Sequence, residues 1–215
     1  MPKYDKIFKD WKGDETMALE VMNITCPGCG APIDTKLAKC YQCGRPYVIT
    51  SFNNVYGMTP NIAMGLKGAY QKEVEANPDN PDANFSLGIC LLKLNMYDKA
   101  YEKFDKAIED SIENPEAYFW AAVSLLKGKR AFLTPKVTID KALELTDTAR
   151  LLEERGIFSY FCAYLKYDYY NLKRLNIQPS YVEELQRAAT NVTQEDIRML
   201  AEILKIEEFD ANLSI

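Results

Sequence analysis

From residue 59 onward, apolar positions recur at helical spacing and are interrupted by Thr-Pro or Asn-Pro pairs. These pairs are Thr59-Pro60, Asn80-Pro81, Asn114-Pro115 and Thr134-Pro135. An Asn or Thr oxygen can cap a helix, and proline suits the first helical position because no N–H is needed there. Each pair therefore predicts a helix start. Ser180-x-x-Glu183 and Thr193-x-x-Asp196 have the form of capping boxes. The second opens a helix with an apolar face of Ile197, Leu200, Ala201, Leu204 and Ile206. Before residue 55 the pattern changes. Short apolar runs, Leu19–Ile24 and Tyr47–Phe52, read as strands on either side of a cysteine-rich segment.

The helical part repeats itself. Asn80-Pro81-Asp82-Ala83 returns as Asn114-Pro115-Glu116-Ala117, 34 residues later. Tyr118-Phe119-Trp120-Ala121 returns as Tyr160-Phe161-Cys162-Ala163, 42 residues later, so that unit has grown by eight. A 34-residue unit of two helices resembles the tetratricopeptide repeat (TPR). With Pro81 as position 1, Leu87 and Gly88 fall on positions 7 and 8, Ala100 on 20, Phe104 on 24 and Ala107 on 27. Gly88 and Ala100 are small where two helices approach closely, and Phe104 fills the space between them. Two positions depart from the family: Asn84 stands where an aromatic is usual, and Ile112 where proline is usual. In the second unit, Lys127–Arg130 with Ala131–Leu133 reads as an insertion before the second helix. Residues 60–76 read as a lone second helix that starts the stack, through Leu66 and Tyr70.

The resemblance, over residues 60–175, implies a concave surface lined by the first helix of each unit. It would carry Phe85, Ile89 and Leu92, then Phe119, Val123 and Leu126, then Phe161 and Leu165. Such an apolar stripe suits a helical or extended apolar segment of a protein partner. The Lys, Asn and Arg residues that hold chaperone tails in some family members are largely missing. The other reading is that the chain fills the stripe itself, with residues 176–208 or with the cysteine segment.

That segment reads Cys26-Pro-Gly-Cys29-Gly30, then Cys40-Tyr-Gln-Cys43-Gly44, with a ten-residue spacer. Each CxxC turn lets two thiolates converge on one ion, and four thiolates suit tetrahedral zinc. The pattern resembles a CPxCG-type zinc ribbon over residues 19–52. Iron in a rubredoxin-like site is the competing metal, although that family usually has a longer spacer. Four thiolates leave no open coordination position, so one structural zinc is expected rather than a catalytic one.

Composition narrows the function. The 215 residues carry a net charge of −5 and no histidine. Histidine-based triads and His-containing metal sites are therefore excluded, and no enzyme is expected. Cys90 and Cys162 fall within predicted helices and read as small buried hydrophobes. Lys36, Lys39 and Arg45 in the ribbon, with the basic loop Lys127–Arg130, allow a runner-up role with nucleic acid. Overall acidity weighs against that as the main role. The N-terminus has no apolar core of a secretory signal. The longest apolar stretch, Tyr118–Leu126, is far short of the roughly 20 residues that span a bilayer. A cytoplasmic location without a membrane span is expected.

The expected architecture is mostly α: an N-terminal segment with a small β zinc ribbon (1–54), a TPR-like α-solenoid of antiparallel helix pairs (55–175), and capping helices (176–215). The expected function is a non-enzymatic adaptor or scaffold that binds a protein partner. Self-association is left open.

Overall fold

The structure, a computed structural model, describes residues 29, 31, 32, 34, 37, 39–44, 47–50 and 52–206. Its helices are α1 (Asn53–Tyr56), α2 (Pro60–Ala76), α3 (Pro81–Lys93), α4 (Tyr97–Asp110), α5 (Pro115–Leu125), α6 (Lys136–Leu152), α7 (Gly156–Leu165), α8 (Tyr181–Ala188) and α9 (Gln194–Leu204). A 3-10 turn, Ala131–Leu133, precedes α6, and a π-helical turn, Lys166–Asn171, follows α7.

The capping residues act as expected at most starts. The Asn80 side chain accepts from the Ala83 N–H, and that of Asn114 accepts from Glu116 and Ala117 N–H. Ser180–Glu183 and Thr193–Asp196 form complete capping boxes. Thr134-Pro135 differs. Thr134 donates its hydroxyl to the Arg130 carbonyl at 3.1 Å, and α6 begins at Lys136 with Pro135 as its N-cap.

Helices pair as α3 with α4, α5 with α6, and α7 with α8. The pairs stack through α2 on α3, α4 on α5 and α6 on α7. Helix α8, expected among the capping helices, is thus the second helix of the third pair. Helix α9 crosses the stack instead. It starts beside α7, where a Cβ on Gly156 would meet the Val192 nitrogen, and it ends where the Tyr97 hydroxyl donates to the Ile203 carbonyl at 3.1 Å.

The small residues of the repeat matter for close approach. A Cβ on Gly88 would lie 2.7 Å from Phe104 Cε1, and Phe104 is completely buried. Gly88→Ala is therefore expected to destabilise by about 1–3 kcal/mol, because α3 and α4 must separate to admit one methyl group. Urea denaturation followed by far-UV circular dichroism checks this; an unchanged midpoint contradicts it. The unusual Asn84 is also explained. It is fully buried, and its Nδ2 donates to the carbonyls of Pro78 (2.7 Å) and Asn80 (3.1 Å). It ties the turn into α3 where an aromatic could only pack.

Among the described residues, four non-glycine residues take the left-handed conformation: Asn95, Lys127, Arg174 and Lys205. Each follows a helical segment that ends on the same edge of the stack. Such a conformation costs a residue with a Cβ about 1 kcal/mol relative to glycine.

The expected β ribbon is not seen among the described residues. Leu19–Ile24 lies outside the described residues. Among the described residues of 29–52, the only β features are isolated bridge residues at Pro32 and Lys39. Tyr47 and Ile49 are buried while Val48 and Thr50 face out, so the chain alternates over 47–50 as a strand would. Its hydrogen bonds go to helices, however. The Ile49 N–H donates to Ser86 Oγ (3.1 Å), and the Tyr70 hydroxyl donates to the Tyr47 carbonyl (3.0 Å). An extended segment docked on α2 and α3 satisfies its backbone without a partner strand.

Candidate functional site

The cysteine turns converge. The sulfurs of Cys29, Cys40 and Cys43 all lie within 4.8 Å of one another, with Cys29 and Cys40 at 3.6 Å. A tetrahedral zinc with Zn–S of about 2.3 Å needs sulfurs about 3.8 Å apart, so the three fit one ion. Cys26, the fourth expected ligand, lies outside the described residues. Gly44 adopts φ of +70°, which its CxxC-G turn requires. The Cys43 backbone N–H is the main cause that lowers the Cys40 thiol to about 6, with further help from the Gln42 N–H and the neighbouring thiols. A metal ligand has to be a thiolate, and N–H groups aimed at sulfur favour that form.

This segment is tied to the repeats. Lys39 pairs with Glu73 of α2 at 3.1 Å, in addition to the bonds from Tyr70 and to Ser86. Phe52, at its end, packs against Trp120 of α5 with ring centroids 5.0 Å apart. The strip that follows the cysteine cluster thus lies on α2, α3 and α5.

The apolar stripe is where the sequence reading needs correction. Phe85, Ile89, Leu92, Phe119, Val123, Leu126, Phe161 and Leu165 are all at most 2% exposed. They do share one core: Phe119 packs on Phe158 (4.8 Å) and edge-on to Phe161 (5.7 Å). They do not form an open surface. Phe52 covers α5, and the end of α9 lies beside Leu92, with Lys93 donating to the Tyr56 carbonyl and pairing with Glu202. The physical reason is the size of the stripe. Burying each such side chain contributes about 1.5–3 kcal/mol. The apolar face of α9, with Ile197, Leu200, Ile203 and Leu204 buried, is available to cover it. Of the two readings open from the sequence, self-filling matches the structure.

The remaining candidates are internal. Cys90 and Cys162 are completely buried, and burial pushes both thiols up to about 12. Tyrosines of the segment 164–170 pack internally: Tyr164, Tyr169 and Tyr170 are buried, and the Tyr164 hydroxyl accepts from the Ala131 N–H. Sequence reasoning missed three buried carboxylates. Glu116 accepts from Trp120 Nε1 and pairs with Arg155. Asp168 accepts from Arg130 and from the Phe132 N–H at 2.8 Å. Glu184 pairs with Lys166, Arg150 and Arg187. Their arginine partners Arg155, Arg130 and Arg150 stand 39, 38 and 34 residues away, so no local pattern announces them. The basic loop expected at Lys127–Arg130 is largely exposed, with Lys127 paired to Asp98 at 2.5 Å.

Comparison with known proteins supports the repeat. A tetratricopeptide-repeat family model matches residues 69–102, which covers the end of α2, all of α3 and the start of α4. The structure of TTC0263, a thermophilic TPR protein in Thermus thermophilus, is similar over 71% of this chain and 77% of that chain, with 16% identity and a TM-score of 0.53. In fold, the stack is like a tetratricopeptide-type solenoid. A crystal structure of MamA is more loosely similar, over 66% of this chain and 69% of that chain, with 17% identity and a TM-score of 0.44. No curated protein matches the sequence. Solenoids of this type generally serve protein–protein interaction. Among the described residues, no helix is long and apolar enough to cross a membrane.

Proposed function

We propose that the chain is a non-enzymatic adaptor: a TPR-type stack that binds a protein partner, with its N-terminal segment pinned by one structural zinc ion. Cys26, Cys29, Cys40 and Cys43 are the zinc ligands in this reading. The observation that carries it is the helix-pair stack, with a cysteine-bearing strip docked along its first helices through Tyr70, Ser86 and Glu73. Zinc supplies a fixed tetrahedral crosslink between two turns too short to fold alone. Because α9 and Phe52 seal the apolar stripe, the partner meets the outer surface of the stack, unless α9 departs. The chemistry of the thiols agrees with a binding role. Cys90 and Cys162 are held far from the thiolate form, and the sequence offers no histidine to activate them.

The test is native co-purification of the tagged full chain from its host, followed by light scattering of the eluted species. A complex of defined stoichiometry with another protein is expected. Elution of the chain with no other protein bound, at low salt and without chelator, contradicts the adaptor reading.

A further inference from the structure

The turns that follow α3, α5 and the π-helical turn after α7 lie on one edge of the stack, and the end of α9 joins them. Side-chain contacts connect this edge from end to end. Lys205 lies over the Tyr97 ring (5.7 Å), a Cβ on Gly128 would touch the Tyr97 hydroxyl, and Lys173 lies over the Phe132 ring (4.8 Å). In its central part the edge carries Lys127, Lys129, Arg130, Lys136, Lys173 and Arg174, on a chain whose net charge is −5. Three carboxylates answer them: Asp98 with Lys127, Asp168 with Arg130 and Asp140 with Lys136. The region is therefore net positive.

Helix electrostatics accounts for part of this placement, since Lys127, Arg174 and Lys205 follow helical C-termini where the dipole favours cations, but it does not account for Lys136. Lys136 opens α6, whose first turn has no acid, so a cation sits at the positive end of the helix dipole. Lys127, Arg174 and Lys205 occupy left-handed positions that glycine fills without strain. Basic side chains stand where the backbone alone would favour another residue. Between them lie exposed apolar side chains: Leu133 is 71% exposed and Val137 75%, with Phe132 and Leu172 nearby. A cleft of about 400 Å³ opens beside Leu133, lined by Tyr101, Leu125, Lys127, Lys129 and Pro135, with Asp98 as its one carboxylate.

We propose that this edge docks an acidic, amphipathic segment of a protein partner, with carboxylates on Lys127, Lys129 and Arg174 and apolar side chains in the cleft by Leu133. The inference rests on the adaptor reading and supplies the surface that reading lacks once the stripe is sealed. Charge complementarity selects an acidic ligand, and the exposed apolar groups select one with an apolar face. A nucleic acid fits less well. The Tyr169 and Phe132 ring faces that could stack on bases are covered by the Lys173 ammonium, at 3.8 Å and 4.8 Å from the ring centroids.

The test uses the full chain and a fluorescein-labelled synthetic peptide with glutamate on one helical face and leucine and phenylalanine on the other. Fluorescence anisotropy compares it with a glutamine-for-glutamate peptide and with a single-stranded RNA. The variant is Lys127→Gly/Lys129→Gln/Arg174→Gly, in which glycine is compatible with both left-handed positions and the fold is verified by urea denaturation. The expected result is binding of the acidic peptide that weakens with salt. It should also weaken by at least about tenfold in the variant and with the glutamine peptide. Equal binding by wild type and variant, no binding of the acidic peptide, or tighter binding of RNA through the same residues overturns the proposal. Co-purification separates this from failure of the adaptor reading. If the variant retains the host partner, the edge is not the docking surface while the adaptor reading stands. If neither protein retains a partner, the adaptor reading fails.

Discussion

Replacing Glu184 with alanine is expected to lower the unfolding free energy by about 3–5 kcal/mol. Glu184 is completely buried and holds together three elements. Lys166, itself buried, comes from the π-helical turn; Arg150, at 2.6 Å, comes from α6; Arg187, at 3.4 Å, comes from the next turn of α8. Removing the carboxylate leaves the Lys166 ammonium without its anion in a site closed to water. Breaking one side of a buried pair costs more than the pair itself contributes, since the remaining charge keeps its desolvation penalty. The double change Glu184→Leu/Lys166→Met should therefore recover part of the loss, because no unpaired ammonium remains. Chemical denaturation of the three proteins measures both effects. A loss below about 1 kcal/mol for Glu184→Ala, or a double variant worse than the single one, contradicts this account of the third helix pair.

Removing the metal is expected to have an effect of similar size at the other end of the stack. On the reading that the cysteines hold zinc, a strong chelator frees the two turns. The strip 47–50 then loses the constraint that keeps it on α2 and α3. Two buried side chains, Tyr47 and Ile49, and the hydrogen bonds involving Tyr70 and Ser86 depend on that strip. Their combined loss is about 3–5 kcal/mol. The chelated protein should keep most of its helical signal, melt at a lower temperature, and regain its midpoint when zinc is restored. Metal analysis should give one zinc per chain, and Cys40→Ser should reproduce the chelated state without responding to zinc. An unchanged melting temperature after complete chelation contradicts the clamp.

The repeat is legible in the sequence because its signals are local. Asn80-Pro81 and Asn114-Pro115 announce helix starts by capping chemistry, and Gly88 with Phe104 announces a close helix contact. The cysteine turns are local in the same sense. What is not legible depends on pairing across the stack. The alternation of Tyr47 and Ile49 with Val48 and Thr50 is the same whether the strip pairs with a strand or lies on helices, so periodicity alone suggests a sheet. The stripe residues do gather onto one face, yet their exposure depends on where α9 runs. The amphipathic pattern of α9 shows only that it covers something. Asp168 and Glu184 look like ordinary surface acids in the sequence. Their burial follows from partners such as Arg130 and Arg150, whose separations of 38 and 34 residues reflect the repeat and its insertion.

The central claim is that the chain seals its own apolar stripe and therefore meets partners elsewhere. Hydrogen–deuterium exchange of the full chain tests this most directly. If α9 seals the stripe, the amides of 194–204 exchange slowly and open together with those of α5. If α9 exchanges within seconds while α3 and α5 stay protected, then α9 does not cover the stripe. Phe119 and Val123 would be open to a partner, and the concave face would be the binding surface after all.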